Sequence, residues 1–196
     1  DAVDYTADIT LDLGRRDFTM NAIALNVQDG TLLDPYDGHG DLKRRMIRAI
    51  GDPGTRFTED ALRMLRAVRF AAQLEFTVDG ATLEAMRELS SAIDAVSAER
   101  VRDELIKALK AKRPSIAFDL MRETGLLPYV VPELCEGIGV AQRGRHRFDV
   151  YTHSVTACDA ADADDQDVRL AALLHDIGKP RCLSVDEFGE RRFNGH

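Results

Sequence analysis

Between residues 61 and 72 the chain repeats two spacings at once, and together they leave it little choice of structure. Ala61, Met64, Leu65, Val68 and Ala72 fall on one side of a helix turning roughly 100° per residue. Asp60, Arg63, Arg66 and Arg69 fall on the other, with Leu62 and Phe70 on the flanks. An amphipathic helix is required, buried on one face and offering guanidinium forks on the other. Such forks match phosphates bidentately, and an aspartate beside one can meet the edge of a base. Taken alone, an arginine stripe is also what a solvated helix face looks like. Thr58 is expected to cap this helix, with Glu59 and Asp60 at its positive end.

Around this element the pattern predicts an α+β chain that is mainly α. Thr10 caps a short helix containing Arg15 and Arg16, and Ala22 to Val27 reads as a buried strand. Gln28-Asp-Gly30 signals a hairpin turn leading to Thr31–Asp34. Asp41 to Ile50 is a short helix or strand, and Gly51-Asp-Pro-Gly54 is the clearest break. Helices then follow almost throughout: Thr82 to Ala95, Ala98 to Ala111 capped by Ser97, a segment ending at Gly125, and a last region from about Val150. Pro128 and Pro132 bracket an irregular joint, Gln142 to His146 is a basic loop, and Asp159 to Asp167 is an acidic connector.

Composition narrows the classes. A net charge of −8 argues against a diffusely basic nucleic-acid binder but permits local arginine patches. No apolar run approaches the roughly 18 residues of a membrane span. Cys135, Cys158 and Cys182 have neither disulfide-framework nor zinc-knuckle spacing, which fits a reduced, cytoplasmic setting.

A second constellation lies near the end. His153 precedes Arg169-Leu-Ala-Ala-Leu-Leu-His-Asp-Ile-Gly-Lys-Pro180 by one loop, and an apolar helix ends in adjacent His175 and Asp176. With His196 as a fourth donor, these residues suit a divalent cation, which activates water and clamps a phosphate oxygen. Lys179 stands where it could meet a phosphate. A lone histidine in such a place is more often a core or surface residue.

These motifs resemble the bacterial CCA-adding tRNA nucleotidyltransferases, of the tRNA nucleotidyltransferase/poly(A) polymerase family, with an HD domain. Arg15-Arg-Asp-Phe-Thr-Met-Asn-Ala22 is similar to that family's motif for ribose and phosphates. Asp34-Pro-Tyr-Asp-Gly-His-Gly-Asp-Leu42 is similar to its head–neck linker, although the linker usually has adjacent glycines. Glu59-Asp-Ala-Leu-Arg63 resembles the motif that pairs with the incoming base, and Ser97-Ala-Glu-Arg-Val-Arg-Asp-Glu-Leu105 the element bracing it. The resemblance implies a remnant nucleotidyltransferase head at 1–54 (helix plus short hairpin), a helical neck and body at 55–149, and the start of an HD phosphohydrolase-like domain at 150–196. It implies nucleotide contacts at Arg16, Asp17, Asn21, Asp60, Arg63, Arg66 and Arg69, the last two holding the triphosphate, and metal ligands at His153, His175, Asp176 and His196. It also implies template-independent addition of C and A to tRNA 3′ ends, with tRNA, CTP and ATP as partners and no membrane.

The family's Mg²⁺ ligands form an Asp-x-Asp pair after a Gly-Gly loop, and the chain offers no plausible match to that combination. With Asp1 in place of a starting Met and His196 just inside a motif, the sequence reads as a truncated piece that binds nucleotide without polymerising it. A further Asp of the HD site is likewise expected beyond it. Poly(A) polymerase, CC- or A-adding enzyme, metal-dependent phosphohydrolase and tRNA-binding module stay open as alternatives.

Overall fold

The computed structural model describes residues 8–142, 147–187 and 191–195. His196 and most of the basic loop, residues 143–146, lie outside them. Helix α1 (Ile9–Gly14) is capped by Asp8, whose carboxylate accepts from the Thr10 and Leu11 amides. Thr10 is therefore inside the helix, not its cap. The strand expected over Ala22–Val27 shrinks to β1 (Ala24–Leu25), paired antiparallel with β2 (Leu32–Leu33). Only Ala22 of that run is fully buried, and Val27 is 91% exposed, so the apolar letters mark an open hairpin face.

Helix α2 (Gly38–Arg44) receives its N-terminal amides' bonds from Asp34, which accepts from Gly38 at 2.7 Å and His39 at 2.9 Å. A Cβ on Gly38 would run into the Thr19 carbonyl. Gly38→Ala is expected to destabilise by about 1–3 kcal/mol, an overpacking cost, measurable by urea unfolding. Strand β3 (Met46–Ile47) pairs in parallel with β4 (Thr77–Val78), the connection running through α3 (Pro53–Glu59) and α4 (Leu62–Leu74). The expected break at 51–54 thus starts a helix at Pro53, with Asp52 as cap.

The arginine helix is α4, and it begins later than its sequence suggests. Thr58 caps nothing; its hydroxyl bonds back to the Gly54 carbonyl within α3. Asp60 is extended (φ −153°, ψ 102°), separates the two helices, and its Oδ1 accepts from the Leu62 amide at 3.1 Å. The buried face of α4 holds Leu62, Met64, Leu65, Ala67, Val68, Ala71 and Ala72, as the periodicity requires.

Helices α5 (Gly80–Leu89), α6 (Ala98–Leu109) and α7 (Ser115–Thr124) surround that face. The expected Thr82–Ala95 helix is α5 plus a 3₁₀ turn at Ser90–Ala95, and Ser97 gives α6 no side-chain cap bond. Gly125 ends α7 at φ 76°, the left-handed residue anticipated there. Both prolines of the supposed irregular joint instead sit in first turns, of α8 (Leu127–Val130) and α9 (Pro132–Glu136). Helix α10 (Val150–Ala160) is capped by Asp149, and α11 (Gln166–Leu174) by Asp165. Asp159 is not in a solvated connector: it lies in α10 and accepts from the Ser115 amide and hydroxyl at 2.8 and 2.6 Å.

One core runs from Phe18 and Ile47 through α4 to Phe118, Leu126, Tyr151, Val155 and Leu173. Phe18 meets Phe70 edge to face at 6.0 Å, fixing the N-terminal segment against α4. Among the described residues no helix is long and apolar enough to cross a membrane. A last hairpin, β5 (Leu183–Val185) with β6 (Arg191–Phe193), follows the 3₁₀ turn Lys179–Cys182.

Candidate functional site

A cleft of about 490 Å³ opens between the N-terminal segment and α4. Arg15, Arg16, Asp17 and Asn21 form one wall; Asp60, Leu62, Arg63, Arg66 and Phe70 form the other; Arg100 reaches in from α6. Five arginines face two carboxylates, so an anion is attracted there although the chain carries −8 overall.

The charged side chains of the cleft are held largely by protein partners. Arg63 gives Nη1 to Glu59 at 2.7 Å and to the Arg56 carbonyl at 3.1 Å, and Nη2 to the Arg15 carbonyl at 3.0 Å. Two of its five N–H donors are left for other partners. Glu59 also holds Arg56, at 2.7 Å, which makes it an orienting residue for the fork. Asp60 turns Oδ2 to Arg100 at 2.8 Å. Arg66 places Nε and Nη2 on Asp17 at 2.7 and 2.6 Å, and Asp17 further accepts from its neighbour's amide and from Asn21 at 2.9 Å each. Arg16 is exposed, 3.5 Å from Asp12.

Arg69 is not in the cleft. It lies 4.1 Å over the Phe70 ring with Nε 2.8 Å from Glu104, whose carboxylate is 4% exposed. Burial lowers its pKa from the ordinary arginine value, against the opposing pull of Glu104. Arg100 and Glu104 are the residues that sequence reasoning left out of the site. Their spacing of four on one α6 face was the available signal.

Of the second cluster's four candidate ligands, His153, His175 and Asp176 come together and His196 lies outside the described residues. The candidate ligand atoms of His153, His175 and Asp176 all lie within 4.8 Å of one another. His175 Nε2 is 3.2 Å from His153 Nε2 and 3.1 Å from Asp176 Oδ2. The other ring nitrogen, Nδ1, lies 2.8 Å from the Ala172 carbonyl and can donate only to it. That bond leaves the Nε2 lone pair pointing at the cluster, as a metal ligand needs. Lys179 is on the same carboxylate, with Nζ 2.6 Å from Asp176 Oδ2 and 2.9 Å from Gln142 Oε1. A cation entering the cluster would share or displace that ammonium.

Three family descriptions match in order: "Poly A polymerase head domain" over residues 1–48, "Probable RNA and SrmB-binding site of polymerase A" over 75–138, and "HD domain" over 143–195. An A-adding tRNA nucleotidyltransferase of Deinococcus radiodurans is 40% identical over 207 residues, covering all of this chain and 47% of the relative. A multifunctional CCA protein of Aromatoleum aromaticum is 43% identical over 90% of this chain and 45% of its own length. Among solved structures, the Bacillus stearothermophilus CCA-adding enzyme in complex with CTP superposes with a TM-score of 0.72 at 32% identity. That match covers 90% of this chain and 42% of that one. The chain spans about half the length of the curated relatives it matches. With head, RNA-binding and HD segments matched in order, this chain belongs to the tRNA nucleotidyltransferase/poly(A) polymerase family.

Proposed function

We propose that the whole protein adds C and A to tRNA 3′ ends from CTP and ATP, using this cleft to choose the nucleotide. The observation that carries the reading is that Asp60 and Arg63, an acceptor and a donor, line the same arginine-lined cleft. Cytosine and adenine both present an exocyclic amino group next to a ring acceptor. Asp60 accepts from the first and Arg63 donates to the second. Uracil and guanine present a carbonyl where the amino group stood, leaving two acceptors face to face. Such a mismatch is rejected because the buried groups go unpaired. Arg16 and Arg66 face the cleft for the phosphates, and Arg69 acts from behind by tying α4 to Glu104.

Asp60→Ala in the full-length protein is expected to cut discrimination of CTP and ATP over UTP and GTP by about 10- to 150-fold, the worth of one charge-assisted bond. Unchanged discrimination in a single-turnover incorporation assay would remove Asp60 from the reading. Transcripts ending before, within and after CCA separate full CCA addition from CC, A or poly(A) addition. The A-adding name of one relative makes that comparison the informative one.

In-line phosphoryl transfer uses Mg²⁺ held by paired carboxylates. Asp17 and Asp60 do not fit that task, each being tied to a guanidinium. The HD cluster does fit a divalent metal, and a second activity, phosphoester hydrolysis, is supported by its three converging ligand atoms. His153, His175 and Asp176 would hold the ion, which supplies Lewis acidity and an activated water. Within the chain, Ala172 sets the His175 tautomer and Gln142 steadies Lys179.

A further inference from the structure

Arg169 lies within α11, is 2% exposed, and gives its Nη1 to the backbone carbonyls of Leu109 and Ala111. These carbonyls belong to the C-terminal end of α6, where the helix itself supplies no donor. Among the described residues its hydrogen bonds go to these two oxygens, and its Nε has none. A buried cation is costly, and this one is balanced by the negative end of a helix dipole.

Helix α6 is tied to the selecting helix along its whole length. Arg100 is 2.8 Å from Asp60, Glu104 is 2.8 Å from Arg69, and Gln73 Nε2 donates to the Lys107 carbonyl at 3.1 Å. One end of this rod therefore bears on the residue that reads the base, and the other end is held by Arg169. We propose that Arg169 is a positioning residue for base selection, acting through α6 on Arg100 and Asp60. This goes beyond the nucleotide-transfer reading and rests on it.

The physical course is direct. Without the guanidinium, two carbonyls are stranded at the edge of the shared apolar core, and the last turn of α6 must shift to reach water. The rod then moves as a unit and Arg100 leaves its place on Asp60. Because α11 ends directly before His175 and Asp176, the same rod joins the selecting cleft to the HD cluster.

The test uses full-length protein and three variants. Arg169→Met removes the donors, Arg169→Lys keeps a cation within reach of the carbonyls, and Leu173→Ala loosens the same α11 packing while leaving the Arg169 guanidinium in place. CTP-over-UTP discrimination and its split between kcat and KM are measured beside thermal stability. Arg169→Met should lose discrimination about 10-fold, within the range of residues that modulate a site they do not touch. Arg169→Lys should recover most of it, and Leu173→Ala should lose stability with discrimination kept. Equal discrimination loss in Arg169→Met and Leu173→Ala, or none in Arg169→Met, overturns the proposal. Should Arg169→Met not fold, Arg169→Gln takes its place under the same criteria. A wild-type protein that incorporates neither C nor A overturns the nucleotide-transfer reading itself. A selective wild type with an equally selective Arg169→Met overturns this inference alone.

Discussion

Asp41→Ala should destabilise the protein by about 1–3 kcal/mol, chiefly the cost of leaving the buried Thr19 hydroxyl without its acceptor. The Asp41 side chain is fully buried. It accepts from the Thr19 hydroxyl at 2.6 Å, Arg44 at 2.7 Å and Arg48 Nε at 2.9 Å, and Arg48 also donates to the Tyr36 carbonyl. This one carboxylate therefore joins α2 to the turn after α1 and to the strand leading into α3. Removing it strands the Thr19 hydroxyl and leaves Arg44 to Asp37 and Arg48 to the Tyr36 carbonyl, and urea unfolding reads the loss. Burial pushes the Asp41 pKa up, but the bonds from Thr19, Arg44 and Arg48 outweigh it and hold the group below the usual carboxylate range. A folded-state pKa below the unfolded one gives stability that is fully present above the unfolded value of about 4. That stability is lost as pH falls through the folded value. In the Asp41→Ala protein this part of the acid sensitivity should vanish, and a variant as acid-sensitive as wild type would refute the assignment.

His175→Ala should weaken divalent-metal binding by at least about 100-fold. That is the upper end of what losing only a ligand's supporting hydrogen bond costs, and here the ligand itself goes. Calorimetric titration of Co²⁺ or Zn²⁺ into full-length wild type and variant measures it, and imidazole donors suit both ions. Asp176→Asn should fall in the same direction, because it removes the carboxylate charge shared by both histidines and Lys179. A wild type that binds neither ion, or a His175→Ala protein that binds as tightly, would refute the metal reading.

Much of this architecture was legible because periodicity is a local signal. The apolar stripe of α4 and the glycine stop of α7 follow from spacing alone, while donor chemistry singled out His153, His175 and Asp176, which the packing of α10 on α11 brings together. What spacing could not show was set by distant partners. Thr58-Glu-Asp-Ala61 reads as continuous helix, and only Arg100 and the α1 carbonyl contacts of Arg56 and Arg63 account for a break at Asp60. The fate of Arg69 was hidden in the arithmetic of the helix. Each step of three residues falls about 60° short of a full turn, so Arg69 lies about 120° around from Arg63. It has rotated off the cleft face and onto α6. Arg169 was hidden for a different reason: a charged letter at the head of an apolar run looks like a solvated helix start, and its partners are carbonyls, which every sequence has.

The bonds that hold Arg63 have a thermodynamic consequence. An arginine side chain loses on the order of 2 kcal/mol of conformational entropy when it is immobilised. Here Glu59 and the carbonyls of Arg56 and Arg15 immobilise it without any nucleotide. That cost falls on folding, and under the proposed function an incoming nucleotide would meet a donor already aimed, with less of its contact energy consumed in ordering the protein. A lysine in the same place keeps the charge but has no planar fork to engage three acceptors and a base together. For this position the shape of the cation, rather than its charge, is what the fold has prepared.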